Sequence, residues 1–322
     1  MYSTTIPSSQ QSLKNQNSPT DVNDEFFQKL FEPPNFLPIH RIFQIVCFFI
    51  FLGPIKLVLS LISFFLLFFV INFLPFFKIF FSTNLGFKKW AHSIVRHFIR
   101  LFLLCLGVLR IKIDGDIDHE VRFYVSNHLS ILDYLIHFYN TPLTIIKASD
   151  IYEAPNSFQS FLSSLQLERI FLGSTFDVFK LKPKKRGAAY QIAKCSSDPS
   201  FFPLLVFPEG YPTNGNAIAG FLSEYFETEY PYQPAAFQYN IFFTPRGFNS
   251  MYSGSILDFI FRILSAPFIT CSITYLKKAN TKNVAYKPAE IAEICQIKIA
   301  NELGALAVTK VMPTKMQKQH VE

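Results

Sequence analysis

Residues 42–77 are nearly devoid of charge. Ile42 to Ile55 holds none across 14 residues, Lys56 interrupts, and Leu57 to Phe77 runs a further 21 without one. A bilayer core needs about 20 consecutive apolar residues. The second run is long enough and the first is short. Gly53-Pro54 lies between them, and Pro inside a helix costs about 3 kcal/mol or more, so a break is expected there. Three readings fit: a membrane hairpin that turns at Gly53-Pro54 and returns to its starting face, a single span through Leu57–Phe77, or a buried core helix. His40 and Arg41 precede the run, and Lys78, Lys88, Lys89, Arg96 and Arg100 follow it. Positive charge at both ends favours the hairpin, with both ends cytosolic. Lys56 is a cost to that hairpin unless the turn is shallow or the side chain snorkels.

The rest of the chain does not look like a membrane bundle. Only 16% of residues are charged, against roughly 25% in an ordinary soluble domain, but the depletion is concentrated in this one segment. The net charge of +7 suits anionic partners. No zinc finger, RNA-binding aromatic motif or helix-turn-helix pattern is present, so no nucleic-acid partner is expected. The five cysteines are odd in number, widely spaced and free of any CxxC pair. That pattern fits buried thiols in a reducing compartment and no zinc site. A secretory signal is not expected, because the first long apolar stretch begins only near residue 42.

Four segments follow. Residues 1–40 are a polar N-terminal segment, disordered over 1–22, with a short amphipathic helix over 24–32 capped by Asp24 and stopped by Pro33-Pro34. Residues 41–82 are the hydrophobic hairpin or span, 83–309 an α/β domain, and 310–322 a polar tail. Within 88–107, apolar residues recur at helical spacing opposite Lys88, Lys89, Arg96 and Arg100, and Gly107 offers a C-cap. This is a surface helix over a core, or a basic amphipathic helix lying on lipid headgroups. From Val108 onward strands and helices alternate. Strands are expected at Val108–Ile113, Val121–Ser126, Leu143–Lys147, Arg169–Leu172, Phe202–Phe207, Ala235–Phe243 and Thr270–Leu276. Helices are expected at Leu132–Tyr139, Ser157–Leu165, Arg186–Cys195 and Pro288–Leu303. The alternation predicts an α/β fold with a mostly parallel sheet flanked by helices.

Two clusters carry candidate chemistry. Asn127-His128-Leu129-Ser130-Ile131-Leu132-Asp133 follows an apolar strand directly, and functional groups gather at strand carboxyl ends in such sheets. His128 suits proton transfer near neutrality. Asp133 is close enough in sequence to accept a hydrogen bond from one ring nitrogen, leaving the other as base. The plainer reading is a His capping the next helix, with Asp133 on its solvated face. The second cluster, Phe207-Pro208-Glu209-Gly210, continues through Thr213-Asn214-Gly215. Glu209 there either binds a substrate hydroxyl, organises anion-binding amides, or is a solvated residue on an ordinary turn. No metal or cofactor is required by either cluster. No GxSxG elbow is present, which excludes an α/β-hydrolase site.

An Asn-His-x4-Asp block followed about 75 residues later by Phe-Pro-Glu-Gly, both downstream of an apolar segment, resembles the glycerolipid acyltransferase superfamily with its PlsC-like domain. The likeness runs over roughly residues 40–310. Thr213-Asn214-Gly215 and Tyr232-Gln233-Pro234-Ala235 are similar to the lysophosphatidylcholine acyltransferases and the ancient ubiquitous proteins of lipid droplets. The ubiquitin-binding module of the latter is not expected within these 322 residues.

The resemblance implies an enzyme, transferring a fatty acyl group from acyl-CoA as co-substrate to a lysophospholipid hydroxyl. His128 would be the general base and Asp133 its orienting carboxylate. Asn127, Glu209, Gly210 and Thr213 would belong to substrate binding. Lys147 would meet phosphate, or be a strand-end surface residue. It also implies residence at the endoplasmic reticulum membrane or a lipid droplet, facing the cytosol. The alternative it carries is a non-catalytic membrane scaffold. One departure is notable: Ser174 stands where the family pattern has Arg, with Arg169 or the cluster Lys182, Lys184, Lys185 and Arg186 as substitutes.

Overall fold

Phe123–Ser126 (β2) and Leu204–Val206 (β5) are buried at every position, as expected of strands covered on both faces. They pair in parallel at the centre of a sheet seen in a computed structural model of the chain, which describes residues 18–30, 38–50, 53–147, 176, 178–180, 188–241, 256–280 and 286–311. The other strands are Val108–Asp114 (β1), Thr144–Lys147 (β3), Val178–Lys180 (β4), Gln233–Ile241 (β7) and Ile269–Tyr275 (β8). Among the described residues the order is β1-β8-β7-β2-β5-β3-β4, and every pairing is parallel except β7 with β8. Two short strands, Ala217–Ile218 (β6) and Leu306–Ala307 (β9), pair separately. Exposed Arg110 and Lys112 on edge strand β1 discourage pairing with another chain.

Alternating strand residues feed two cores. Tyr124, Leu205, Phe237 and Ile273 meet the helices Asn84–Cys105 (α4) and Leu132–Asn140 (α5). Phe123, Val125, Leu204 and Val206 meet Ala188–Ser197 (α6) and Pro288–Leu303 (α8) on the opposite face. The helices therefore flank the sheet on both sides. The expected helix at Ser157–Leu165 and strand at Arg169–Leu172 lie outside the described residues.

Helix α4 answers one open question from the sequence. Its stripe Phe87, Ala91, Val95, Ile99 and Leu103 is buried at helical spacing against the core, so it is a helix over a core. Two of its cations are drawn inward, while Lys89 and Arg96 stay exposed. Lys88 lies over the Phe201 ring at 5.1 Å, and Arg100 donates to the carbonyls of Val108 and Leu109 at 2.8 and 2.6 Å.

The apolar segment forms Pro38–Ile50 (α2) and Gly53–Phe73 (α3), the latter continued by a 3-10 turn over Leu74–Phe80. The stretch Gly53–Phe80 is the one helix among the described residues that is long and apolar enough to cross a membrane. It does not project, however. Phe64 meets Phe102 near one end of α4 (6.0 Å between rings) and Phe77 meets Trp90 near the other (5.8 Å), so α3 lies antiparallel along α4. Lys56 points into the protein. Its Nζ donates to the carbonyls of Ala266 and Pro267 at 2.6 and 3.4 Å, just past the C-terminus of Ile256–Ser265 (α7). A cation suits the negative end of a helix dipole. Gly107, at φ +95°, leaves the room: a Cβ there would stand 2.8 Å from that Nζ.

Two sequence expectations change near the N-terminus. Asp24–Lys29 (α1) is capped by Asn23, whose Oδ1 accepts from Phe26 N at 2.8 Å, and not by Asp24. Thr20, within the stretch expected to be disordered, bridges to Val308 and donates to Ala307 O at 2.8 Å. Phe27 and Leu30 then bury themselves against Tyr211, Ala217, Ala219 and Val308, an apolar gain that holds this segment down.

Candidate active site

The two motif loops leave the same edge of the sheet, because β2 and β5 are parallel neighbours in register (Val125 opposite Val206). The resulting contact is mostly backbone. The Glu209 carboxylate accepts His128 N at 2.8 Å on one oxygen and Ala219 N at 3.0 Å on the other. Thr213 N donates to His128 O at 2.9 Å. Both backbone groups of His128 are thus held by the second motif. Gly210 closes the Phe207–Gly210 turn at φ +80°, its N–H on Phe207 O at 3.1 Å.

Asn127 does similar work on the other side of β2. Its side-chain amide donates to Phe237 O at 2.9 Å and accepts Phe237 N at 2.8 Å. It replaces the pair of ladder bonds that a further strand residue would have made with β7.

His128 is buried, with its ring stacked on Phe207 (centroids 4.4 Å apart) and edge-on to Tyr134 (5.3 Å). Its Nδ1 stands 2.9 Å from Asp133 Oδ2. A carboxylate only accepts, so Nδ1 carries the hydrogen and Nε2 presents its lone pair. Among the described residues Nε2 has no hydrogen-bond partner.

Asp133 is fully buried at the start of α5 and draws donors from three directions. Oδ2 also accepts Leu129 N at 2.5 Å and Ser130 N at 2.9 Å. Oδ1 meets the hydroxyls of Tyr239 at 2.6 Å and Ser130 at 3.2 Å. These bonds prevent the carboxylate from rotating, so the imidazole tautomer and orientation are set with it. Asp133 is therefore neither solvated nor on an outer helix face.

The buried charges shift neighbouring groups. Burial pushes the Glu209 carboxyl up to about 8, opposed by the two amides it accepts. Burial lowers His137, behind the site, to about 4, against the attraction of Asp133. Burial and the adjacent Asp133 carboxylate raise the Tyr239 hydroxyl well above its ordinary value, which keeps it a donor.

The candidates from sequence separate accordingly. His128, Asp133, Asn127, Glu209, Gly210 and Thr213 come together. Lys147 ends β3, two strands from β2, and its side chain lies outside the described residues, as do Ser174, Arg169, Lys182, Lys184, Lys185 and Arg186. Glu209 differs from the substrate-contact role expected of it: it is wholly inaccessible, and both oxygens face backbone amides. Asn127 likewise faces the sheet. Sequence reasoning missed Tyr239 and Ser130. Ser130 sits inside the motif, whereas Tyr239 is 106 positions from Asp133 and nothing local marks it.

No family model matches the chain. The Arabidopsis thaliana lysophospholipid acyltransferase LPEAT2 is 29% identical over 115 residues, which is 36% of this chain and 20% of that protein. The alignment thus spans about a fifth of the relative's length. The crystal structure of a 1-acyl-sn-glycerophosphate (LPA) acyltransferase, PlsC, from Thermotoga maritima shares the fold: TM-score 0.50 at 15% identity, over 78% of this chain and 96% of that one. The chain is thus similar in sequence to a lysophospholipid acyltransferase and in fold to PlsC, with its paired motif loops at the carboxyl ends of neighbouring strands.

Proposed function

We propose that the chain is an acyl-CoA-dependent O-acyltransferase acting on the free hydroxyl of a lysophospholipid. The observation that carries the reading is His128, with Nδ1 on a fixed carboxylate and Nε2 available. Nε2 takes the proton of the acceptor hydroxyl as its oxygen attacks the thioester carbonyl. The tetrahedral adduct collapses, the C–S bond breaks, and the imidazolium returns the proton to the departing CoA thiolate. The product is an ester, and no acyl-enzyme forms. Asp133 stabilises the transient imidazolium. Asn127, Glu209 and Thr213 act by holding the His128 loop. Lys147 remains a proposed phosphate contact.

The apolar helices provide membrane attachment in this reading. Helix α3 is packed along α4, which is itself bound to the sheet, and this supports a course other than a lone crossing of the bilayer. A hairpin lying flat in one leaflet fits better than either a span or a hairpin with its tip at mid-bilayer, since Lys56 at the turn is tied to the α/β unit. One leaflet is enough, so the endoplasmic reticulum membrane and a lipid droplet are both suitable, with the site facing the cytosol. Both substrates carry acyl chains and partition to that boundary.

The test is direct. The detergent-purified full chain, given labelled acyl-CoA with a panel of lysophospholipids, forms labelled phospholipid with at least one acceptor. No product across the panel overturns the enzyme reading and leaves the scaffold. Within the same assay, Tyr239→Phe removes a hydrogen bond to a charged group, worth about 1.5–3 kcal/mol. If that bond aligns the dyad, kcat falls about 10-fold with KM unchanged. An unchanged kcat would assign Tyr239 to packing alone.

A further inference from the structure

Three helices of this protein are inverted relative to water. In α2, Gln44 and Cys47 are buried while Ile42, Ile45, Val46, Phe49 and Ile50 are exposed. In α3, Ser60 and Ser63 are buried with Leu67 and Ile71, and apart from Pro54 and Asn72 the exposed positions are Leu, Ile, Val and Phe. Helix α7, far along the chain, buries Phe259, Ile263 and Leu264 against the core but places its charge and its outermost apolar residues the same way. Its Arg262 side chain is 0% exposed, whereas Leu257 is 72% exposed, with Ile260 and then Phe268 beyond the helix end exposed beside it. A surface helix in water does the reverse, turning its charges out.

The charges of α7 lock it to the hairpin. Asp258 bridges Arg262 Nε at 2.8 Å and Arg41 of α2 at 3.0 Å. The rings of Phe48 and Phe261 meet at 5.1 Å, and Lys56 closes the far end on Ala266. The three helices therefore present one surface. Exposed Lys78 and Lys89 follow α3 in sequence, where they suit anionic headgroups.

We infer that α7 is a third lipid-inserted element, and that the Arg41–Asp258–Arg262 cluster joins it to the hairpin as one membrane-binding face. The occupant is the outer part of a phospholipid leaflet. The face includes Gly53–Phe80, which is long and apolar enough to cross a membrane, and that favours lipid over a protein partner, while water would leave these leucines, isoleucines and phenylalanines solvated. Burying Arg262 with its partner removes a charge that would otherwise meet hydrocarbon. The inference rests on the membrane reading above but is separable from it.

The test uses full-length protein on phosphatidylcholine vesicles containing phosphatidylglycerol, with a tryptophan added at one site at a time. Leu257→Trp reports α7, Ile62→Trp reports α3, and Tyr190→Trp on α6 reports the opposite layer of the sheet. The parent, with Trp90 alone, supplies the baseline. The expected result is quenching of added emission at 257 and 62, and not at 190, by lipids brominated about 5–10 Å below the headgroups. Quenching at 62 but not at 257 overturns the inference and leaves the hairpin reading standing. Quenching at neither overturns both. As a second measurement, Leu257→Glu with Ile260→Glu lowers vesicle binding by about 10-fold or more while activity in detergent stays at the parent level. Unchanged vesicle binding also overturns the inference.

Discussion

His128→Ala lowers acyl transfer by about 10²–10⁴-fold, with the melting temperature close to that of the parent. The size follows from what is lost. Without Nε2, the acceptor hydroxyl must lose its proton to water while it attacks, and Asp133 has no imidazolium to stabilise. The fold survives because the loop is held by backbone groups that the substitution retains: His128 N on Glu209, His128 O on Thr213 N, and the Asn127 amide on Phe237. Steady-state rates with the preferred lysophospholipid, beside a thermal melt, separate the two quantities. Activity within about threefold of the parent would remove His128 from the chemistry and the proposed mechanism with it.

Glu209→Ala acts through stability instead. It strands the buried N–H groups of His128 and Ala219, each at a cost of about 1–3 kcal/mol, so a loss of about 2–6 kcal/mol is expected from denaturant titration in detergent. A headgroup contact would predict a raised KM and an unchanged midpoint, so one experiment decides between brace and ligand. The pH dependence has a defined sign. Burial pushes the Glu209 carboxyl of the folded state up to about 8, from 4.5 for an unburied glutamate. The folded state therefore holds more protons between those values, and its stability falls as pH rises through that window. Glu209→Gln lacks this slope.

Much of the candidate cluster was legible because its chemistry is local. Asn127, His128 and Asp133 lie within one loop and the first turn of a helix, so spacing alone puts Asp133 within reach of the imidazole. The apolar β2 and β5, bounded by polar turns, were readable for the same reason, as was α8, which Pro288 opens and Gly304 ends at φ +58°. The short strands β4, β6 and β9 were not, since they lack the flanking apolar run that marks β5 and periodicity needs more positions than they have. Helix α7 escaped notice because its pattern, read with charges outward, points the wrong way.

The amino-acid order by itself determined the local elements and the identity of the reactive groups: an imidazole with a carboxylate five residues on, and an apolar segment that water cannot solvate. Only the tertiary structure decided that Glu209 braces His128, that Tyr239 holds Asp133, and that Lys56 and Arg262 turn inward while leucine and isoleucine turn out. Those outcomes depend on which distant backbone amides, carbonyls and charges the strand order brings within about 3 Å, and hydrogen bonding at that range leaves no trace in sequence spacing.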